Sequence, residues 1–426
     1  MRVGGWRSLW LRGLFTLGVA SLSYLLGAAV VYFKLPTSAI LDDAFLGGQA
    51  WAERRQAADV PVDLDVPAAR VGIDRLEWTF DGYTAYTTNH GSQAVLINMR
   101  GDVVHRWTAQ FRDVWPKPTH VADPVPDGHV YYFDCHIYPN GDLLTVSHGA
   151  GDTPYGYGLA RLDKNSKVLW TYSANVHHSV DVREDGVIYV LTQKMVREVP
   201  KGLEWIATPC LVDYIVLLSP DGKELKSIPI LEAFRDSPFA SFLAPPEGHS
   251  GLAWDVLHTN RASVLTKKLA PRFPRFKPGD ALISIRELDA LAVIDIEKGV
   301  VVWAACGPWR GQHDPQFLDN GRLLVFDNRG FGRASRVLEY DPATQACPWV
   351  YSSENSPPFM SSIQGRAQRL ANGNTLIVHS KDGDLYEVTA AKEVVWSCAC
   401  RAHVPWARRF RPSELPFVHG DSHARP

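Results

Sequence analysis

The chain has almost no net charge: 44 Lys and Arg stand against 46 Asp and Glu, leaving −2 over 426 residues. A polyanion needs a basic footprint, and without one nucleic acid is excluded as a partner. There is no GxxxxGK[ST] loop, so the backbone cradle for nucleotide phosphates is missing and no activated-nucleotide donor is indicated. Cysteine is scarce and scattered. Cys135, Cys210, Cys306, Cys347, Cys398 and Cys400 show no zinc-type CxxC spacing, and their pairing cannot be deduced. Cys398 and Cys400 are poor partners for each other, because residues two apart on a strand lie near the limit of disulfide reach. Disorder is excluded too, since 46% of residues are hydrophobic and only 21% charged.

Between Gly13 and Phe33 no residue is charged, and residues 14–33 (LFTLGVASLSYLLGAAVVYF) have about the length a helix needs to cross a bilayer. Arg2, Arg7 and Arg12 precede this stretch, whereas Lys34 alone follows before Asp42 and Asp43. The positive-inside rule therefore puts residues 1–12 in the cytoplasm, a single-pass signal-anchor at 13–34, and the remainder on the extracytoplasmic side, periplasmic or luminal. A cleaved signal peptide is the rival reading. Its apolar region is usually shorter, and no convincing small-x-small cleavage site follows Phe33. Residues 35–71 read as a linker, with 39–56 able to form a short helix beside the membrane or to serve as a plain tether.

What is abundant is turns and short β-branched runs, with 33 Gly, 29 Pro and 14 Trp. One hairpin phrase recurs: AVLINMRGDVVHRW (94–107), LARLDKNSKVLW (159–170), IVLLSPDGKELKSI (215–228), LAVIDIEKGVVVW (291–303), RVLEYDPATQACPWV (336–350) and LYEVTAAKEVVW (385–396). Ahead of each lies a second phrase, at 76–88, 136–146, 178–191, 313–326 and 367–378, with an interrupted version from Trp254 to Ile285. Two hairpins repeated six times are four-stranded blades. The expectation is an all-β, six-bladed β-propeller over residues 72–400 with a tail at 401–426. An eight-bladed quinone-dependent dehydrogenase shares such phrases, but six copies and no adjacent cysteine pair argue against it.

In a propeller the innermost strands line a central channel. His178 precedes the turn glycine Gly186 by the same spacing as His313 precedes Gly321, and His258 stands at the corresponding point of the interrupted unit. Three histidines are thus expected at one end of the channel. They fit three chemistries: a zinc site with an open position, an anion site with Arg286 and Arg366 as fixed charges, or covalent catalysis by one imidazole. The bland alternative is that each packs within its own blade.

WDVLHTN (254–260), ALISIRELDALAVID (281–295), GQHDPQFLDNGRLLVFDN (311–328), SRVLEYDP (335–342) and GRAQRLANGNTLIV (365–378) together resemble the successive signatures of the arylsulfotransferase family, over roughly residues 130–400. Members are exported propeller enzymes that move a sulfuryl group between phenols without a nucleotide cofactor. The resemblance implies an aryl sulfate donor, a phenolic acceptor, no cofactor and no metal. It makes His313 the attacking residue, with His258, Asn260, Arg286 and His178 as the surrounding oxygen-binding and acid-base groups; Arg366 stands apart from it, as the further anion-binding charge of the histidine reading above. Two other readings stay open: a membrane-anchored propeller that only binds an anionic or aromatic ligand or a protein, and a three-histidine metal-dependent hydrolase. Bacterial members carry an N-terminal domain used to form dimers, and this chain has only a short segment there, so its oligomeric state is open. The basic loop TKKLAPRFPRFKPG (266–279) reads as a surface insertion, with a lid or a partner site as the alternative.

Overall fold

The computed structural model describes residue 18 and residues 21–29, 69–244, 255–329, 334–352 and 360–418. The chain divides into Met1–Val60 and Pro61–Pro426. In the first unit Gly18 and residues 21–29 are helical, and the rest of the expected membrane segment lies outside the described residues. No helix among the described residues is long and apolar enough to cross a membrane.

The second unit is a six-bladed β-propeller of antiparallel sheets. Strand β1 (Arg70–Asp74) is followed by β2 (Tyr83–Thr87), β3 (Gln93–Ile97) and β4 (Val103–Thr108) of the first blade. The second blade is β5 (Val130–Ile137), β6 (Leu143–Gly149), β7 (Gly156–Leu162) and β8 (Val168–Tyr172). The third is β9 (Val176–Val182), β10 (Ile188–Val196), β11 (Cys210–Leu218) and β12 (Glu224–Pro229). The fourth is β13 (Thr259–Val264), β14 (Ala281–Ile285), β15 (Ala290–Asp295) and β16 (Val300–Cys306). The fifth is β17 (His313–Phe317), β18 (Leu323–Asp327), β19 (Arg336–Tyr340) and β20 (Trp349–Tyr351). The sixth is β21 (Arg366–Arg369), β22 (Thr375–His379), β23 (Asp384–Val388) and β24 (Val394–Ala399). Strand β25 (Ala407–Phe410) then returns to pair with β2 as the innermost strand of the first blade.

The ring is thus fastened at both ends, for β1 adds to the outer edge of the sixth blade beside β24. Residues 407–410, expected in the tail, belong to a blade, while the phrase expected as an inner hairpin at 76–88 contributes only β2, second in its sheet. Apolar side chains between blades form the core. The tryptophans that end the hairpin phrases reach across to the next blade: Trp107 Nε1 donates to Gly141 O at 2.8 Å, Trp349 Nε1 to Ala390 O at 3.0 Å and Trp396 Nε1 to Met99 O at 3.1 Å. Trp107 and Trp396 are fully buried and Trp349 half-buried, and each satisfies its one donor in a neighbouring turn, which is why the repeat favours closing on Trp. The 266–279 loop packs inward. Phe273 and Phe276 join Trp303 and Phe317 in the core between the fourth and fifth blades, so this part of the loop is built into the body of the propeller and is not a lid.

Candidate functional site

Alternation places every second side chain of an inner strand toward the axis, and a bulge changes which ones arrive there. In β9 the pairing with β10 jumps between Val180↔Val190 and His177↔Leu191, leaving His178 with a left-handed φ of 53°. In β17 it is His313 that stays paired, with Phe326, and the next residue, Asp314, that takes a φ of 50°. His258 enters β13 with a φ of 47°. The equal spacings before Gly186 and Gly321 therefore bring His178 and His313 to the same end of the channel on different positions of two unlike bulges. The bulge in β9 also delivers His177, which the spacing did not single out.

The rings cluster. His178 lies 4.9 Å from His258, 5.2 Å from His177 and 5.2 Å from His148, centroid to centroid. Tyr155 stands edge-on to His178 at 5.3 Å and tilted over His258 at 5.9 Å, and Phe133 stacks on His148 at 4.0 Å. The backbone N–H of His178 donates to Nε2 of His148 at 3.0 Å, and His177 and His178 share one proton between their Nδ1 atoms 2.9 Å apart.

His313 is held differently. Its Nδ1 lies 2.9 Å from Gly311 O and 2.7 Å from Asn328 Oδ1. The Asn328 amide is itself fixed, because its nitrogen donates to the carbonyls of Ser361 and Gln364. With that nitrogen committed, the side facing His313 is an acceptor, and two acceptors on Nδ1 require the proton there. The lone pair is then on Nε2, which no group among the described residues engages. Burial pushes the imidazole down to about 3, with the Asn328 hydrogen bond opposing and the fields of His258 and Arg286 adding, so the ring is neutral at pH 7. Burial also holds His177 at about 3, against the opposing charge of Asp255, and together with repulsion from the neighbouring histidines it holds His148 and His178 well below the usual imidazole range.

Carboxylates frame the cluster. Asp255 Oδ2 lies 2.6 Å from His258 Nδ1 and accepts from the Tyr155 hydroxyl at 3.4 Å. Asp213 accepts the backbone N–H of Thr259 at 2.8 Å, and its other oxygen lies 3.6 Å from His177 Nε2. Burial raises Asp213 to about 7, and the charge of Asp255 adds to the rise. Asn260 donates to Gln312 O at 2.9 Å and leaves its Oδ1 buried without a partner among the described residues. Arg286 pairs with Glu287 at 2.9 Å, and its field reaches both His313 and Tyr155.

Arg366 belongs to a separate layer. Its guanidinium lies 3.4 Å from both Asp134 and Asp314 and donates to Pro405 O and His178 O. With Arg261, 3.0 Å from Asp134 and 3.4 Å from Asp314, it makes a buried four-charge plug across the channel. A cavity of about 250 Å³ lies against these same residues and His136, and none of His148, His177, His178, His258 and His313 lines it. The structure thus brings His178, His258, His313, Arg286 and Asn260 to one region and gives Arg366 a supporting place behind it. Among the described residues no group of three or more His, Cys, Asp or Glu is arranged to hold a metal ion, and all six cysteines are free thiols.

Of the residues the spacing did not mark, Asp255 carried one readable signal: it precedes His258 by three in WDVLH. His148, Tyr155 and Asp213 arrive from separate blade strands and a loop, and no local pattern announces them.

Residues 135–401 match the family described as Arylsulfotransferase (ASST). No curated protein matches the chain at a significant level. Among solved structures the chain is similar to a protein of unknown function from Bacteroides caccae, at 11% identity and a TM-score of 0.52, over 77% of this chain and 98% of that one. A streptogramin B lyase gives a TM-score of 0.43 at 11% identity over 79% and 85% of the two chains. A virginiamycin B lyase from Staphylococcus aureus gives 0.40 at 10% identity over 77% and 88%. The first of these likenesses bears on the fold alone, and the other two are too remote to bear on it.

Proposed function

This chain belongs to the arylsulfotransferase family, and on that premise we propose that it moves a sulfuryl group from an aryl sulfate to a phenolic acceptor through a sulfohistidine on His313, with the propeller outside the cytoplasm as the charges flanking residues 13–34 imply. The observation that carries this reading is the hold on His313: both partners of Nδ1 are acceptors, so a neutral ring offers its Nε2 lone pair to the channel. A nucleophilic imidazole has to be unprotonated at the attacking nitrogen, and burial keeps it so.

In the first half-reaction the Nε2 lone pair bonds to sulfur as the bond from sulfur to the aryl oxygen breaks. The electron pair leaves on that oxygen and is met by a proton from His258. In the second half the acceptor hydroxyl gives its proton to His258, its oxygen bonds to sulfur, and the N–S bond returns its pair to Nε2. Negative charge spreads over the sulfuryl oxygens in both steps. Arg286, with its planar fork, and the one amide N–H that Asn260 does not give to Gln312 are the donors suited to it, as in an oxyanion hole. His178, packed against His258, completes the wall. Arg366 acts from behind, through Asp314 and the carbonyl of His178.

The test is the intact mass of the protein mixed with an aryl sulfate in the absence of acceptor. A gain of one sulfuryl group, mapped to the peptide containing His313 and lost in a folded His313→Asn variant, supports the proposal. No adduct, with activity restored only by a divalent metal after chelation, overturns it.

A further inference from the structure

The geometry points to Asp255 as the positioning residue that lets His258 serve as acid in one half-reaction and base in the other, an inference that rests on the sulfuryl-transfer reading. A carboxylate oxygen only accepts, and Asp255 Oδ2 sits 2.6 Å from His258 Nδ1, so the proton on Nδ1 stays in place whether the ring is neutral or charged. All proton exchange is thereby confined to Nε2. With Nε2 protonated the ring can protonate a departing phenolate, and once that proton has gone the same atom bears the lone pair that deprotonates the acceptor. Without Asp255 the neutral ring is free to put its one proton on either nitrogen, and the half with the proton fixed at Nδ1 loses its advantage.

Three further features fit this role. Asp255 joins the sheets: it bridges to Leu211 at the start of β11, so it is placed by the third blade while His258 opens the fourth. The Tyr155 hydroxyl, at 3.4 Å from the same oxygen, supplies a second donor to it. The surroundings also keep the charge on the right carboxylate. Burial works to raise Asp255, but the hydrogen bond and field of His258 outweigh it and hold the group below the ordinary carboxylate range, whereas neighbouring Asp213 is raised. The titratable groups facing the pair are thus His177, Asp213 and Tyr155, then His178, His148 and His313 on the side of the His258 ring, and, across the site, Arg286.

The experiment uses the full chain and times formation of the His313 adduct from two donors, 4-nitrophenyl sulfate and phenyl sulfate. A good leaving group departs with little help from an acid, and a poor one depends on it. Asp255→Asn is expected to slow adduct formation from phenyl sulfate by roughly 100-fold, within the range of general acid catalysis, and from 4-nitrophenyl sulfate by less than about threefold. Asp255→Glu retains the acceptor and should keep the wild-type ratio of the two rates; it also serves if the Asn variant fails to fold. Equal slowing with both donors in a folded variant would reduce Asp255 to a structural part and overturn the inference. Absence of an adduct in the wild-type protein would instead sink the sulfuryl-transfer reading on which it rests.

Discussion

Arg286 meets the histidine cluster with one guanidinium nitrogen already taken by Glu287 at 2.9 Å, so its remaining N–H groups are aimed rather than loose. Replacing it with Lys keeps the charge but removes the fork that spans two oxygens. Sulfuryl transfer by Arg286→Lys is expected to fall by roughly ten- to a thousandfold, the cost of one positioned donor. The melting temperature should scarcely change, because the exchange leaves no buried charge unpaired. Wild-type turnover in that variant would remove Arg286 from the site. At this scale the sequence was informative where a residue sits at a fixed distance from a turn. His178, His258 and His313 could be found that way because each enters its blade ahead of a hairpin. His177 could not, because only the bulge in β9 brings it to the axis. Asn328 was equally hidden: it fixes the tautomer of His313 from 15 residues away along the chain, through an amide whose orientation depends on the carbonyls of Ser361 and Gln364.

Strands and hairpins were legible wherever both partners are close in sequence. The phrase LAVIDIEKGVVVW (291–303) becomes β15 and β16, and HDPQFLDNGRLLVF (313–326) becomes β17 and β18, as alternation and turn residues require. The closing strand was not legible. Ala407–Phe410 has no adjoining hairpin partner and pairs instead with Tyr83–Tyr86 at the opposite end of the domain. The element is pinned by a buried ion pair: Arg409 donates to Glu387 Oε2 at 3.1 Å, to Thr84 Oγ1 at 2.7 Å and to Phe80 O at 2.5 Å, and both charged side chains are fully buried. Removing one partner of such a pair strands the other charge. Arg409→Ala should therefore cost about 3–5 kcal/mol in chemical denaturation, and the double variant Arg409→Met with Glu387→Gln should recover part of that loss. A cost below about 1 kcal/mol would mean that β25 is held by its ladder alone.

At the scale of the whole propeller, the functional groups are enclosed in a channel plugged by Asp134, Arg261, Asp314 and Arg366, and that enclosure sets how the propeller responds to acid. Burial lowers His136, His177 and His313 to about 3 and His403 to about 4, and drives His148 and His178 well below their usual range. In the unfolded chain the same side chains titrate near ~6.5. Between about pH 6.5 and pH 3 the unfolded state therefore binds more protons than the native state. The stability from keeping these rings neutral is full above the unfolded value and is lost as pH falls, at roughly 1.4 kcal/mol per pH unit for each fully depressed histidine. Asp213 and Asp280 act in the opposite sense, since burial raises them to about 7 and about 6 and their native forms gain protons first. With His105 and His120 also lowered by burial and Asp314 also raised, eight depressed histidines outnumber three raised carboxyls, so the melting temperature should decline from pH 7 to pH 5 and continue falling below that. His136 offers a clean check, because it lines the cavity against the Asp134, Arg261, Asp314 and Arg366 layer, beside Arg408 and outside the histidine cluster. His136→Gln should make the fall in melting temperature shallower while leaving sulfuryl transfer at pH 7 intact. A melting temperature that stays level from pH 7 to pH 5 in the wild-type protein would show that the channel admits protons to these rings without unfolding.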